Sequence, residues 1–221
     1  MKKIILLITS LILLSSCEVQ ETSYSNENGV EDVYDASVVV KNTDLYGEEE
    51  RDNVKFITFE TNDEKFLKKE GFTIWTTKKI NETDVFEDFE VGMTKLSGTN
   101  TTGYGIVFCN QMLNDKLFMY VVMINNIQQY IIGKVVDGNF SAITNWTTDS
   151  NLNRGTGVNN LIRIEFDEQD RKFKVNLNNA IVKSFTVETN LSFKNSKRGY
   201  VTVISPKENF PKESVKVLFF E

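Results

Sequence analysis

The sequence predicts an all-β domain built as a two-sheet antiparallel sandwich. Apolar runs of strand length recur from Val54 onward, with no convincing long helix between them. Turn-forming pairs separate several of these runs, among them Asp137-Gly138 and Asn178-Asn179. Such residues tolerate the positive φ angles of tight hairpin turns. Short strands at this regular spacing indicate a sandwich or a barrel and not a parallel α/β sheet.

The strongest strand signal lies between Leu117 and Phe140. The run Leu117–Ile124 is apolar in both alternating phases, which is typical of a strand covered on both faces. After a turn at Asn125-Asn126, a second run over Gln129–Val136 leads to Asp137-Gly138. Two consecutive hairpins follow from this order. We therefore expect the first run to occupy an interior position in an antiparallel sheet.

Further strands are predicted on both sides of this meander. Leu161–Phe166 and Lys172–Leu177 alternate apolar with polar residues, so each is expected to be half buried. The other predicted strands are Val54–Phe59, Phe72–Thr76, Val85–Leu96, Tyr104–Cys109, Phe140–Trp146, Ile181–Val187, Tyr200–Ile204 and Val215–Phe220. The best helical candidate is Asp63–Glu70, a segment of one or two turns.

Composition and charge remove several classes of function. The 221-residue chain contains no histidine, which excludes catalytic triads with a histidine base, histidine metal sites and imidazole proton shuttles. The formal net charge is -6, and the acidity is concentrated in Glu18–Asn53, which has eleven acidic and two basic residues. The remainder shows no compact basic patch with interleaved aromatic residues, so no nucleic-acid partner is predicted.

The amino-terminal segment has the features of a secretory signal. A cationic start, Met1-Lys2-Lys3, precedes the apolar run Ile4–Leu14 and the sequence Leu14-Ser15-Ser16-Cys17. The apolar run is too short for a stable membrane-spanning helix. The last four residues resemble a bacterial lipobox, which implies cleavage before Cys17 and lipid attachment to it. The alternative is an ordinary signal peptide in which Cys17 is incidental.

Three segments are predicted along the chain. Residues 1–17 are the lipoprotein signal peptide and lipobox. Residues 18–53 are rich in Glu, Asp, Ser, Asn and Thr, and such a segment buries too little apolar surface to offset the entropy of ordering it, so a flexible acidic tether is predicted. Within it, Val38–Val40 is an alternative added edge strand. Residues 54–221 form the sandwich domain.

These segments indicate a lipid-anchored protein of the bacterial cell envelope, periplasmic or surface-exposed. The lipid membrane is then a partner through the amino-terminal acyl anchor, since several acyl chains give durable attachment. With Cys17 lipidated, Cys109 has no partner for an internal disulfide. Because Cys109 ends an apolar run, we expect a buried and inert thiol.

Several strand-like segments and one tryptophan follow each other in a characteristic order: Asp88–Val91, Gly103–Phe108, Phe118–Ile124, Tyr130–Gly138, Trp146, Asn160–Ile164 and Phe173–Asn179. This order resembles that of concanavalin A-like lectin/glucanase jelly rolls, closest to the branch with laminin-G-like and sugar-hydrolase-associated modules. The branch usually has Asn-Gly in the late hairpin, where this chain has Asn178-Asn179. The resemblance implies a two-sheet antiparallel jelly-roll sandwich over Val54–Glu221. It does not by itself imply a function.

Catalytic residues are not predicted. Glycoside hydrolysis uses a pair of carboxylates flanking the scissile bond, and the glucanase relatives place them at alternating positions of one strand, as Glu-x-Asp-x-Glu. No such run occurs in this sequence. Asp88 and Glu90 share one face of a predicted strand, but with Phe89 and Val91 facing the core a solvated outer face is the better interpretation.

A ligand site is predicted around Trp146. Sugar-binding modules stack an aromatic ring on the sugar and surround it with polar side chains, whereas a single Tyr or Trp is more often a core or rim residue. Trp146 opens a long polar loop that continues to Gly157, of the kind that carries recognition at a sandwich edge. The candidate ligand-binding residues are Trp146, Asn145, Asp149, Asn151, Arg154 and Tyr130. No metal site and no cofactor are predicted, because no closely spaced set of oxygen ligands is present.

Three functions follow, in decreasing order of preference. The first is a non-catalytic carbohydrate-binding module with a glycan ligand, which is expected to expose aromatic residues in one groove. The second is a protein-binding adhesin or assembly factor, with a protein partner unknown and a flat apolar or charged patch. The third is a glycoside hydrolase-like enzyme, which requires paired carboxylates with perturbed pKa values in a cleft.

Overall fold

The structure, a computed structural model, describes residues 30–33, 46–51, 54–61, 72–204 and 215–221. The described residues form strands, turns and irregular connections. The strands are β1 (Val30–Val33), β2 (Tyr46–Arg51), β3 (Val54–Thr61), β4 (Phe72–Ile80), β5 (Phe89–Ser97), β6 (Tyr104–Leu113), β7 (Lys116–Ile124), β8 (Gln129–Val136), β9 (Asn139–Ala142), β10 (Thr147–Thr148), β11 (Asn160–Asp167), β12 (Lys172–Leu177), β13 (Ala180–Thr186), β14 (Lys197–Ile204) and β15 (Val215–Phe220). In this described part, no helix has the length and apolar character needed to cross a membrane.

The strands form two antiparallel sheets. Sheet A has the order β1-β4-β14-β6-β7-β8-β10, and β9 also pairs with β8. Sheet B has the order β13-β12-β11-β5-β15-β3-β2. The predicted all-β class with two antiparallel sheets is confirmed. The meander of β6, β7 and β8 lies inside sheet A, with β7 between the other two, as its apolar sequence indicates.

The space between the sheets is filled by a large aromatic cluster. The fully buried ring of Phe173 on β12 lies 5.1 Å from the ring of Phe108 on β6 and 5.6 Å from that of Tyr120 on β7, as centroid distances. Most of these ring pairs are tilted or edge-to-face, an arrangement that the ring quadrupoles favour. The sheets are therefore joined by aromatic side chains at inward-facing positions of several strands, among them β6, β7 and β12.

β7 is covered on both faces, as predicted. Tyr120 and Val122 point between the sheets, and the opposite phase of β7 contributes to a second buried cluster on the other face of sheet A. We call this set the outer apolar cluster. Its members are Trp75, Val107, Met119, Val121, Met123, Ile131, Val135 and Val201.

The predicted hairpin turns are present. Asp137 and Gly138 have φ angles of 54° and 77°, and Asn178 and Asn179 have φ angles of 46° and 71°. Two consecutive positive φ angles are the requirement of a type I′ turn, which is why Gly and Asn occur at these positions. Asn179 therefore occupies the glycine position of the late hairpin and adopts the positive φ angle that this turn requires.

Two predicted strands are shorter than expected. In the segment Phe140–Trp146 the strand β9 ends at Ala142, and β10 begins only after the segment, at Thr147. Beyond β9, the hydroxyl of Thr144 accepts a hydrogen bond from the backbone N–H of Ile132 at 2.9 Å. β5 begins at Phe89 and not at Val85. The residues before β5 are bound to the segment around Phe193 and not to a neighbouring strand. Asp84 Oδ1 accepts hydrogen bonds from Ser192 Oγ (2.8 Å) and from the Phe193 N–H (2.9 Å).

The sheets extend into the range predicted as a flexible tether. β1 pairs with β4 at one edge of sheet A, and β2 pairs with β3 at one edge of sheet B. An edge strand gains backbone hydrogen bonds on one side without burying a large apolar face, and charged edge strands are common. Composition alone therefore did not predict these two edge strands.

Several predictions concern residues outside the described ranges. They are the signal peptide with Cys17, the short helix over Asp63–Glu70 and the edge strand over Val38–Val40. Cys109, in contrast, is described: it is buried at 2% exposure, and burial raises the pKa of its thiol well above the ordinary value. Its predicted burial is confirmed.

Candidate functional site

Trp146 lies at one end of the outer face of sheet A, where the β7–β8 turn and the loop after β10 meet. An ideal Cβ built on Gly103 would lie 3.1 Å from Trp146 Cη2 and 3.1 Å from Met123 Sδ. The indole therefore rests on the backbone at the start of β6, in space that Gly103 leaves open. Trp146 is 39% exposed, so part of the ring remains accessible to solvent.

Polar side chains flank this ring along the chain. Asn145 and Arg154 are exposed, and within the described residues neither side chain makes a hydrogen bond or an ion pair. Asp149 and Asn151 are instead paired with each other, since Asp149 Oδ1 accepts from Asn151 Nδ2 at 2.8 Å and from the Asn151 N–H at 2.8 Å. Asn145 and Arg154 therefore have side-chain donors available to a ligand, and Asn145 also has an acceptor.

Buried asparagines hold the loop that follows Trp146. Asn126 is 2% exposed; its carbonyl accepts from the Gly155 N–H at 2.9 Å, and its Nδ2 donates to Asn100 Oδ1 at 3.2 Å. Thr156 Oγ1 donates to the same Asn100 oxygen at 3.0 Å. Because these bonds join the β7–β8 turn, the β5–β6 loop and the long loop, the three segments are fixed relative to one another.

A second group of amides anchors the far side of the loop. Asn160, fully buried, accepts from the Asn153 N–H at 2.7 Å and from Asn178 Nδ2 at 2.8 Å. Leu152 fills a buried position beside them, and its carbonyl accepts from Gln128 Nε2 at 2.6 Å. The loop is thus tied to the sandwich at several points, which reduces the conformational entropy that ligand binding would otherwise cost.

Polar groups continue beneath the loop into the sandwich. The Tyr104 hydroxyl donates to Asn126 Oδ1 at 2.9 Å, and burial raises the pKa of Tyr104 to about 12. Lys95 is fully buried, and its Nζ donates to the Thr99 carbonyl at 2.6 Å and to the Thr102 hydroxyl. These groups face inward and support the loop; they do not reach the exposed side of Trp146.

Tyr130 does not belong to the Trp146 site. It is 6% exposed, it is part of the cluster between the sheets, and its hydroxyl donates to the Val182 carbonyl at 3.4 Å. Trp146 contacts the opposite face of sheet A, through Met123. Sequence proximity suggested a common site, but the alternation of β8 directs Tyr130 inward.

The outward positions of the central strands are apolar. Met119, Val121 and Met123 lie on the outer face of β7 and are buried. Their cross-strand neighbours on β8 include Ile131 and Val135. None of these side chains can donate or accept a proton, so this part of the face offers no acid or base. The groups with hydrogen-bonding capacity lie at the loop end.

Asp88 and Glu90, the two acidic residues considered as a catalytic pair, lie at the start of β5 in sheet B. Glu90 is exposed on β5, while Phe89 and Val91 on the same strand are buried in the interior cluster. Asp88 is exposed, and its Oδ1 accepts from the Phe166 N–H at 3.0 Å. This placement agrees with a solvated outer face. Across the described residues, no group of three or more Cys, Asp or Glu side chains has a geometry suited to a metal ion.

None of Gly103, Met123, Asn100 and Asn126 is among the predicted ligand-binding residues, although Asn126 was predicted as a turn residue. Their importance comes from contacts between segments far apart along the chain, such as the one between Gly103 and Trp146. A weak signal for Gly103 existed, because a glycine at the start of a strand often marks a close approach by another group. The amide network left no such signal, since asparagine is common throughout this chain.

No protein-family model matches the sequence, and no curated protein matches it. The structure is similar to that of a glycoside hydrolase family 16 protein from the mixed-linkage glucan PUL of Bacteroides ovatus, in complex with a G4G4G3G product. That similarity has a TM-score of 0.55 at 7% identity and covers 81% of this chain and 86% of the other.

Two further solved structures are similar. A family 16 endo-glucanase from Bacteroides ovatus, in complex with G4G3G-2F-DNP, gives a TM-score of 0.52 at 10% identity, covering 90% of this chain and 93% of that one. The carbohydrate-binding module CBM66 from Bacillus subtilis gives 0.47 at 12% identity, covering 77% and 88%. The fold is a concanavalin A-like jelly roll, as the order of its strand segments suggested.

Proposed function

We propose that this chain is a lipid-anchored, non-catalytic glycan-binding domain of the bacterial cell envelope. The observation that carries the proposal is the half-exposed indole of Trp146, held on Gly103. Asn145 precedes it in the chain and Arg154 lies in the loop that follows, and both side chains are exposed and make no hydrogen bond or ion pair within the described residues. An aromatic face beside hydrogen-bonding groups suits a pyranose ring, which has an apolar face and a polar rim. The fixed loop presents these groups without a large ordering cost.

The fold supports the choice of ligand class. The two solved structures with TM-scores of 0.55 and 0.52 are both family 16 glycoside hydrolases bound to oligosaccharides or their derivatives. Mixed-linkage glucan is named for one of them and is therefore the first glycan to test. In this chain, the apolar side chains of Met119, Val121 and Met123 occupy outward positions of the central strand β7, which favours binding without cleavage.

The anchor is supported by the sequence at the amino terminus. The lipobox-like Leu14-Ser15-Ser16-Cys17 places the acyl chains on Cys17, and the chain between that residue and β1 provides reach from the membrane. Several acyl chains attach a protein durably, since each buried methylene contributes about 0.8 kcal/mol. Glycans at the envelope surface or in the periplasm are accessible from such a position.

A pair of alanine variants tests the binding site. Trp146 and Phe140 are each 39% exposed, and Phe140 lies over Gly133 on the outer side of β8, away from the anchored loop. We expect Trp146→Ala to reduce glycan retention at least tenfold in affinity electrophoresis, while Phe140→Ala retains it within twofold.

The same pair distinguishes binding from folding. Because the two side chains have the same exposed fraction, both variants should unfold at similar denaturant concentrations. Equal loss of glycan retention in both variants, or full retention by a folded Trp146→Ala protein, would show that Trp146 is not part of the glycan site.

A further inference from the structure

A second candidate site lies at the opposite end of the sandwich from Trp146. β-Bulges interrupt the pairing there, one in β6 between Phe108 and Gln111 and one in β14 between Arg198 and Gly199. Cys109, inside the first bulge, has a φ angle of 53°. The bulges accompany a small cavity of about 20 Å³ lined by Arg198, Lys197 and Lys79, among others. Bulges are common where a sheet edge is shaped for a function.

Arg198 gives this cavity its chemical character. Its guanidinium carbon lies 4.3 Å from the centroid of the Phe89 ring, within the range of a cation–π contact. Its Nε is buried and has no hydrogen-bond partner among the described residues. Within the described residues, Arg198 forms no ion pair with a carboxylate. A buried N–H donor without an acceptor is rare in folded proteins.

The charges around the cavity are mainly positive. Lys79 and Lys197 line it together with Arg198, and Glu87 is the acidic residue among the lining groups. Glu87 lies 3.9 Å from Lys79 Nζ, and both side chains are more than half exposed, at 58% and 54%. An exposed pair at this separation is weak, so Glu87 offsets the positive charge near Arg198 only in part.

We propose that this cavity binds a single carboxylate group, as carried by a uronic acid or another small organic acid. The Nε–H and a neighbouring guanidinium N–H form a planar fork that matches the two oxygens of a carboxylate. A volume of about 20 Å³ holds little more than one water-sized group, so one carboxylate oxygen enters it, and the second oxygen and the rest of the ligand stay at its mouth. A tetrahedral sulfate or phosphate group is larger and fits less well.

This proposal does not depend on the proposed function. The Arg198 cavity includes the start of β14, Lys197 and Arg198, whereas Gly103 and Trp146 lie beside the end of that strand, where the Val203 N–H donates to the Gly103 carbonyl. The two sites are therefore at opposite ends of one strand. A ligand at one site does not touch the other.

A nitrogen-detected titration of the purified full-length chain tests the site directly. The Arg198 Nε–H signal is followed while sodium acetate, sodium glucuronate or sodium sulfate replaces sodium chloride at constant ionic strength, and while glucose is added at a fixed sodium chloride concentration. We expect saturable shifts with acetate and glucuronate and none with glucose. Arg198→Lys, which removes the fork but keeps the charge, should weaken acetate binding about tenfold. Lys194→Gln, at an exposed position outside the cavity lining, should change it less than twofold.

Each outcome bears on the proposal. Equal affinity for acetate and glucuronate supports a carboxylate site, and tighter binding of glucuronate supports an acidic sugar as its ligand. An unshifted Arg198 signal with both acids, equal binding of sulfate, or unchanged acetate affinity in Arg198→Lys would overturn it. If Arg198→Lys does not fold, the wild-type titration still decides. Trp146→Ala should bind acetate normally, which separates this site from the glycan site.

Discussion

Gly105, on β6, and Gly103, just before β6, allow a test of how the outer face of sheet A is packed. A Cβ on Gly105 would lie 2.0 Å from the Val122 carbonyl oxygen and 2.8 Å from Met123 Cα, which are backbone atoms of the neighbouring strand. A Cβ on Gly103 would instead meet side-chain atoms of Met123 and Trp146 at 3.1 to 3.2 Å. The first contact requires β6 and β7 to separate, whereas the second requires small side-chain shifts.

The magnitudes follow from this difference. Overpacking a well-packed interior costs about 1–3 kcal/mol and occasionally more, so Gly105→Ala should lie at the upper end of that range. Gly103→Ala should change stability by less than about 1 kcal/mol, because replacing a glycine with alanine also reduces the entropy lost on folding by about 0.5–1 kcal/mol. In a domain of this size, each kcal/mol corresponds to about 2–4 °C in melting temperature.

Calorimetric melting of the two variants measures this contrast. Gly105→Ala should melt about 6–10 °C below the wild type, and Gly103→Ala within about 3 °C of it. Because the Gly103→Ala methyl group presses on the indole, its glycan affinity should fall even though its stability does not. Equal melting temperatures for the two variants would refute this account of sheet A. Unchanged glycan affinity in Gly103→Ala would refute the contact between Gly103 and the bound form of Trp146.

Three further predictions follow from the structure. Cys109 should react with thiol reagents only after denaturation, since it is 2% exposed and burial raises its pKa; rapid labelling of the native chain would contradict this. Amide hydrogen exchange should be slowest over 121–124, because β7 is central and covered on both faces, and fast exchange there would contradict the strand order. Stability should fall as the pH drops below 3.8, because hydrogen bonds to Asp84, chiefly the one from the Ser192 side chain, lower the pKa of its carboxyl group. The stabilisation from Asp84 is present above the pKa of the unfolded state and is lost as the carboxyl group of the folded state is protonated. In urea unfolding, Asp84→Asn should therefore lose less stability than the wild type as the pH falls. An identical loss in both proteins would contradict the role of Asp84.

The sequence predicted the sheet interior well where local signals were strong. β7 is apolar in both phases and proves to be covered on both faces. The Asp137-Gly138 and Asn178-Asn179 turns have the positive φ angles that their residues allow. In each case the determinant lies within a few residues, so the local sequence is sufficient.

Strand ends and edge strands were predicted less well, because they depend on distant partners. β5 starts later than expected, since Asp84 binds the segment around Phe193 and not a neighbouring strand. β1 and β2 form at sheet edges despite an acidic composition, because their hydrogen-bond partners come from β4 and β3. Neither effect is visible in a local window of sequence.

The candidate site was predicted in part. The sequence pointed to Trp146 and the following loop, and the structure places Trp146 half exposed at a sheet end. It also assigned Tyr130 to the same site, although Tyr130 faces the sandwich interior. The face on which a side chain lies depends on strand register, and the support from Gly103 and Asn126 depends on the tertiary fold, so these features required the structure.

One titration tests the central claim most directly. Oligosaccharides of mixed-linkage glucan, followed by other envelope and plant glycans, are added to the wild-type chain while proton NMR follows the Trp146 indole N–H and the anomeric protons of the sugar in the same tube. The account predicts a saturable shift of the indole signal with a dissociation constant between about 1 mM and 1 μM, or about 4 to 8 kcal/mol, and unchanged anomeric signals after a day. An indole signal that no glycan shifts, or new reducing-end signals from the wild-type chain, would contradict it.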